Sequence, residues 1–405
     1  MSPVTLITAM CLAEAIGMLG FATFPALLPT FLEEWNLSGT EAGWLSGVFF
    51  AGYMVAVPVL TALTDRLDAR VVYMWSAALT VVATLAFALL AEGFWSALPL
   101  RILAGAGLAG TYMPGLRALT DRLPEASQPR AVSFYTASFG VGASLSYAFA
   151  GLIGLWLGWR WAFGLSIGGA VLGIVLALIL LRPRPAPKPA ADAGWFLDFR
   201  PLLRNREVMA YTLAYAAHNW ELFGFRSWIV AFLAFAAVLS PDPLTAVLTG
   251  TAVAAGVNLL GLPSSVLGNE MATRFGRRRV VAAIMALSAA IGACVGFTAG
   301  LPYLAVVAAL ALYAITVTGE SASVTTGTVL AAPPERKGAA MALHSLLGFA
   351  FAFLGALAPG VTLDLAGGTE SRLAWGLAFL TMAAGVALGP IFMLVLARGR
   401  PRVQG

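Results

Sequence analysis

Arg182-Pro183-Arg184-Pro185-Ala186-Pro187-Lys188-Pro189 opens the one long polar stretch of this 405-residue chain, which runs on to Arg206. Alternating prolines hold a backbone extended and solvated, so the stretch reads as a linker, with a short interfacial helix around Trp195 to Leu203. What flanks it decides the fold. Six apolar stretches precede it, near 5–31, 40–63, 71–91, 96–117, 131–157 and 160–181, and six follow, near 207–236, 245–268, 280–299, 303–330, 339–363 and 373–397. An α-helix rises about 1.5 Å per residue and the hydrocarbon layer is about 30 Å thick, so each stretch can cross a bilayer. The sequence predicts an all-α polytopic membrane protein of twelve spans, with 1–181 as an N-terminal six-helix bundle, 182–206 as a cytoplasmic linker and 207–405 as a C-terminal six-helix bundle.

Composition agrees. With 60% hydrophobic and 11% charged residues, the chain has too little polar surface to solvate a globule of its mass. Its net charge of +5 does not point to nucleic acid, because the charges are sorted by side. Of 24 Lys and Arg, 20 lie at chain ends or in gaps that share one face: Arg66, Arg70, Arg117, Arg122, Arg130, Arg182, Arg184, Lys188, Arg200, Arg204, Arg206, Arg274, Arg277, Arg278, Arg279, Arg336, Lys337, Arg398, Arg400 and Arg402. The opposite face has only Arg160 and Arg372, and the positive-inside rule then puts both termini in the cytoplasm. The N-terminal stretch lacks a basic n-region and a small-residue cleavage site, so it reads as a retained helix. Cys11 and Cys294 fall within spans, which argues against a disulfide. Arginine almost replaces lysine, a hint of a GC-rich bacterial genome and hence of the inner membrane.

The halves show weak self-similarity: Gly20-Phe21 matches Gly224-Phe225, Asp65-Arg66 falls opposite Thr273-Arg274, and Arg130 opposite Arg336. Parallel six-helix repeats place a binding site at their interface. The gap after span 2 reads Asp65-Arg66-Leu67-Asp68-Ala69-Arg70; its counterpart runs from Asn269 through Thr273-Arg274-Phe275-Gly276-Arg277-Arg278. Span 4 carries Arg101-x-x-Ala104-Gly105-x-Gly107, and Gly158-Trp159-Arg160-Trp161-Ala162-Phe163 precedes span 6. In order and spacing these pieces resemble the major facilitator superfamily over essentially the whole chain. The first loop departs from the family's G-x-x-x-D-R-x-G-R-R at Thr61, Asp68 and Ala69, and the second loses the acid. The resemblance implies alternating access between two bundles, with spans 1, 4, 7 and 10 lining the cavity.

An ionised Asp65 at a helix end can sit against the positive N-terminus of a neighbouring span, while Arg66, Arg70 and Arg274 pair with acids or lipid phosphate; together they form a candidate cytoplasmic gate. The bland reading of the arginines is topological anchoring. Gly105-Ala106-Gly107-Leu108-Ala109-Gly110 matches a dinucleotide fingerprint, yet it lies inside an apolar span, where small residues serve helix packing. Gly164-Leu165-Ser166-Ile167-Gly168 matches a nucleophile elbow without its strand-to-helix context. Neither lysine precedes Ser or Thr, so a Walker A loop is excluded and the chain does not read as an enzyme. Pro25, Pro29, Pro114, Pro263 and Pro359 would bend spans, and Gly43-x-x-x-Gly47 and Gly154-x-x-x-Gly158 permit close helix contact.

Ionisable groups cost several kcal/mol at the bilayer centre unless they face water or a partner. Those inside spans are Glu14, Arg101, His218, Glu221, Arg226, Glu320 and His344, and only His344 lies off spans 1, 4, 7 and 10. Glu14 and His218 both come near the midplane and occupy matching places in the repeat; His218 and Glu221, three apart, share a helical face with Tyr211, Tyr215 and Phe225. Glu14, His218 and Glu221 are candidates for proton coupling. Arg101 and Arg226 lie toward the outer face and are placed to attract an anion, while Glu320 sits in a run of Thr and Ser. Buried structural pairing is the alternative for each.

The expected function is secondary active transport of a small organic solute, anionic by the arginines, coupled to protons. A drug/proton antiporter is an alternative, but span 5 reads Gly140-Val-Gly142-Ala-Ser144-Leu-Ser146 and lacks the proline of the efflux motif. A transporter-like receptor or assembly factor is another. Copper uptake, prompted by Met341-x-x-His344 and Met10-Cys11, is a third. The expected partners are a small-molecule substrate, protons and membrane lipid, with no nucleic acid, no cofactor and no metal site, and the chain is expected to act as a monomer.

Overall fold

The computed structural model describes residues 2–185, 199–240 and 242–396, and no strand occurs among them. Residues 186–198, with most of the linker, lie outside the described residues, as do Arg398, Arg400 and Arg402; of the expected interfacial helix, the turn Arg200–Leu203 is described.

Twelve spans follow. Span 1 is built from Pro3–Gly17, Thr23–Ala26 and Leu28–Glu34; spans 2 to 6 are Gly39–Leu63, Ala69–Leu90, Phe94–Thr120, Gln128–Leu157 and Trp159–Leu180. Spans 7 to 9 are Arg206–Leu239, Gly250–Phe275 and Arg277–Val295; span 10 is Tyr303–Gly319 with Ser321–Ala331; span 11 is Lys337–Leu365, and span 12 starts with Arg372–Val386. Eleven helices among the described residues are long and apolar enough to cross a membrane. The remaining span is span 4, whose apolar content Arg101, Arg117 and its glycines dilute.

Short polar residues set the starts. Ser38 opens span 2 with a capping box, its hydroxyl accepting from the Glu41 N–H while Glu41 accepts from the Ser38 N–H. Asp68, Asn205, Thr249 and Ser371 cap spans 3, 7, 8 and 12 with side-chain oxygens. Span 8 was expected at 245–268 and runs instead from Gly250 to Phe275. Asp242 caps a separate turn, Pro243–Ala246, and Thr249 then starts the helix afresh, so the apolar residues between them belong to the turn.

Packing repeats between the halves. Span 4 lies on spans 2 and 3, span 6 on spans 1, 3 and 5, and span 1 on span 5; span 10 lies on 8 and 9, span 12 on 7, 9 and 11, and span 7 on 11. Each pair in one bundle has its counterpart in the other. Across the bundles, span 2 packs on span 11 and span 5 on span 8, again as counterparts. We call the side of the chain ends and linker the terminal face, and its opposite the far face.

Two spans are broken at mid-depth. In span 1 the helix ends at Gly17, and the Ser146 hydroxyl of span 5 bridges the gap, donating to the Leu19 carbonyl (2.6 Å) and accepting from the Ala22 N–H (2.8 Å). In span 10 the break falls on Glu320.

Candidate functional site

Glu14 is the last-turn acid of the terminal segment of span 1 and is buried. The Tyr135 hydroxyl of span 5 lies 2.9 Å from its Oε2 and 3.1 Å from the Thr111 carbonyl, and the other oxygen, Oε1, has no hydrogen-bond partner. A phenol has one proton to give, and a carbonyl only accepts. The hydroxyl can therefore serve Glu14 as a donor when the carboxylate is charged, or give its proton to Thr111 and accept one from a protonated Glu14. A groove of about 340 Å³, lined by Val4, Thr8 and Cys11 of span 1 and Arg130, Phe134 and Ser138 of span 5, reaches from the terminal end to within one turn of Glu14.

In the second bundle His218 does not pair with Glu221. Its Nδ1 lies 3.0 Å from Oε1 of Glu320, both fully buried, while Glu221 turns toward span 9 and accepts from the Ser288 hydroxyl at 2.9 Å. The spacing of three put His218 and Glu221 on one broad face, but that face meets two neighbours. His344, the residue that stood apart in sequence, stacks on Tyr215 with ring centroids 3.7 Å apart and bonds to the Thr328 hydroxyl at 3.0 Å. Glu320, His218, Tyr215 and His344 thus form a row across spans 10, 7 and 11, and one oxygen each of Glu221 and Glu320 is unpartnered. Among the described residues no three His, Cys, Asp or Glu side chains converge as a metal site.

Toward the far face, Arg101 and Arg226 line the same narrow cleft, with Phe21, Phe50, Tyr147 and Phe223 in its walls. Arg101 is buried; its Nε donates to the Leu45 carbonyl at 3.0 Å, and its guanidinium lies over the rings of Phe24 and Phe49 at 5.0 and 4.7 Å. Arg226 donates through Nε to Asn258 at 2.8 Å. Neither has a carboxylate partner among the described residues. One comes from each bundle, so two cations converge on a wall the bundles share.

The expected gate residues sit apart from this. Asp65 pairs with Arg117 of its own bundle, and Arg70 donates to the Ala177 and Leu178 carbonyls at the end of span 6. Arg274 pairs with Glu270 one turn away in the same helix, and Arg66 is exposed. None of the four touches the opposite bundle in these contacts.

The Major Facilitator Superfamily matches residues 10–344. The chain belongs to that superfamily. Among similar proteins, the protein spinster homolog 1 of Bos taurus is 26% identical over 240 residues, 56% of this chain and 45% of that one. The sphingosine-1-phosphate transporter SPNS2 of Mus musculus is 25% identical over 55% of this chain and 42% of its own. The chain thus aligns with somewhat under half the length of these relatives. A bacterial homolog to the human lysosomal transporter Spinster, in an inward-facing and unoccupied conformation, shares the fold with a TM-score of 0.72 and 17% identity, over 98% of this chain and 95% of that one. The nucleoside transporter NupG does so at 0.76 and 14%, over 98% and 100%.

Within this superfamily frame the two inter-span loops differ in one residue that matters. Gly276 takes φ +95° to turn the second loop, whereas Asp68, in the matching place, has φ −57° and uses its side chain instead. Its carboxylate accepts from Arg122 through both oxygens (2.8 and 2.7 Å) and from the Arg70 and Arg184 N–H groups (3.0 and 2.8 Å). Burial pushes the Asp68 carboxyl up, but these donors outweigh it and hold the group below the ordinary carboxylate value. Arg122 also bonds the Arg182 carbonyl at 2.9 Å, so the clamp ties spans 3 and 4 to the start of the linker. Sequence reading passed over Asp68 as a mere departure from pattern, and missed Tyr135 because an isolated tyrosine in a span gives no signal. The dinucleotide-like glycines pack spans: a side chain on Gly105 would strike the Phe49 backbone, and on Gly110 the Ser76 side chain. Ser166 donates to the Phe163 carbonyl within its own helix.

Proposed function

We propose that this chain is a secondary transporter that carries a small organic anion by alternating access, coupled to protons. The convergence of Arg101 and Arg226 carries the reading. Two desolvated guanidiniums without acids are costly to hold; the cleft has only about 10 Å³ of free space, so an anion admitted as the bundles part would supply the missing charge. The aromatic walls favour an organic anion over a hydrated inorganic one. Protons are taken at Glu14 with Tyr135, and at the His218–Glu320 pair with Glu221 nearby. Each site holds a carboxyl with an open oxygen and a neighbour able to exchange a proton. The relatives named as transporters support the class of activity, and the sorted arginines support a cytoplasmic terminal face in a bacterial inner membrane.

The test is flux in proteoliposomes against a panel of organic anions at two pH values. Arg101→Gln and Arg226→Gln should each lower uptake of the accepted anion about tenfold or more, the loss of one charge-assisted hydrogen bond, while the thermal unfolding midpoint moves little. Anion uptake that survives both changes at full rate would end this reading. Specific binding without flux would make the chain a receptor on a transporter scaffold.

A further inference from the structure

Asp364 stands at the far end of span 11, and its carboxylate reaches across the bundle boundary to the first residues of span 2. It accepts from the Gly39 N–H at 2.8 Å and from the Thr40 N–H at 2.7 Å. A helix start leaves four N–H groups without partners inside the helix. At span 2, Ser38 of the same bundle serves the Glu41 N–H, and an acid of the other bundle serves the two before it. The negative charge also meets the positive end of the helix dipole.

Glycines make the reach possible. Gly39, Gly43 and Gly47 recur every fourth residue along one face of span 2, against Gly360, Leu357 and Phe353 of span 11. A side-chain carbon on Gly39 would lie 2.6 Å from the Gly360 carbonyl, and one on Gly43 would lie 2.9 Å from that of Leu357, so backbones are in direct contact. Deeper along the same seam, the rings of Tyr53 and Phe349 are in contact, centroids 3.9 Å apart and tilted by 31°. Contact between spans 5 and 8 likewise includes Gly151 against Thr251 near the far end. The terminal segment of span 1 packs on spans 5 and 6 of its own bundle, whereas its far-side segments, Thr23–Ala26 and Leu28–Glu34, pack on span 7. The bundles are closed against each other on the far face.

We propose that Asp364 is a gating residue: its double hydrogen bond to the start of span 2 latches the far face shut, and each transport cycle must release it. This rests on the alternating-access reading. The chemistry suits a latch more than a permanent bond, because Asp364 is exposed and water can take over all three groups when the spans part. The device is also one-sided. At the counterpart seam the end of span 5, Trp156-Leu157-Gly158, carries no acid, and span 8 is capped by its own Thr249, while Asp242 caps the turn before it. The acid-on-helix-start contact expected of Asp65 at the terminal face is thus made at the far face by Asp364.

The experiment replaces Cys11 and Cys294 by Ser and introduces Ser227→Cys in the wall of the Arg101–Arg226 cleft. Right-side-out vesicles are then treated with a membrane-impermeant maleimide. Asp364→Ala should raise the labelling rate about tenfold, and Asp364→Asn, which keeps an acceptor but no charge, by an intermediate factor. Gly43→Val should raise labelling independently by wedging the seam. Labelling that stays at the parent rate in Asp364→Ala, with only a lowered thermal midpoint, would overturn the proposal and leave a structural cap. If labelling shifts as expected while no solute is carried by the parent protein, the latch stands and the transport reading fails.

Discussion

His218 and Glu320 place Nδ1 and Oε1 3.0 Å apart with neither side chain open to solvent, one in the middle of span 7 and the other at the break in span 10. At that distance, and shut off from solvent, the two side chains form one hydrogen-bonded unit. The break supplies the geometry: Glu320 is the cap between two helical segments, so its carboxyl leaves the regular spiral to meet the imidazole.

This pair should act as one unit in stability. His218→Ala and Glu320→Gln, measured singly and together by thermal unfolding in detergent, should show a coupling of about 1–3 kcal/mol. Strict additivity would show that the two side chains do not depend on each other. Under the proposed proton coupling, the same variants should also flatten the pH dependence of flux, since each removes half of the hydrogen-bonded pair.

Asp68 gives a signed pH prediction. Its folded pKa lies below the ordinary carboxylate value, so its stabilising contribution is complete at neutral pH and above the unfolded value, and fades as pH falls through the lower folded value. Asp68→Asn should therefore cost about 2 kcal/mol at pH 7, between an exposed ion pair and a fully buried one. The gap between parent and variant should shrink only below about pH 4. A gap of constant size down to about pH 3 would mean that the carboxylate charge is not what the clamp uses.

Tyr135→Phe removes the one donor to Glu14 while keeping the ring. Flux at its best pH should fall about tenfold, and adding Tyr135→Phe to Glu14→Gln should cost nothing further, because both changes break the same contact. Full flux with an unaltered pH profile in Tyr135→Phe would reduce the hydroxyl to a strut between spans 5 and 4.

Span positions were readable because each needs only a run of apolar residues, and the run is long compared with the error at its ends. Span 8 slipped because Leu244 and Val247 are apolar without being helical in the span, which Asp242 and Thr249 decide through local caps. The charged residues inside spans were readable as a set for the same reason that makes them costly. Their partners were not: Glu14 finds Tyr135 121 positions away, and His218 finds Glu320 102 away. Helical periodicity placed His218 beside Glu221 on one face, but it carries no information on which neighbouring span that face meets. His344 fell outside the expected cavity spans for the same reason, since stacking on Tyr215 depends on how spans 7 and 11 lie together.

The Ser146 bridge has a mechanical consequence for span 1. Two side-chain bonds stand in for several rungs of backbone ladder between Leu19 and Ala22, so the span is jointed at that depth. Its upper arm is glued down by the aromatic rings of Phe31, Trp35 and Trp159, while Glu14 rides on the lower arm about one turn below the fulcrum. Under the proposed coupling, a change of charge at Glu14 would act on the lower arm below a fixed pivot, so that arm could tilt while the far end stays seated.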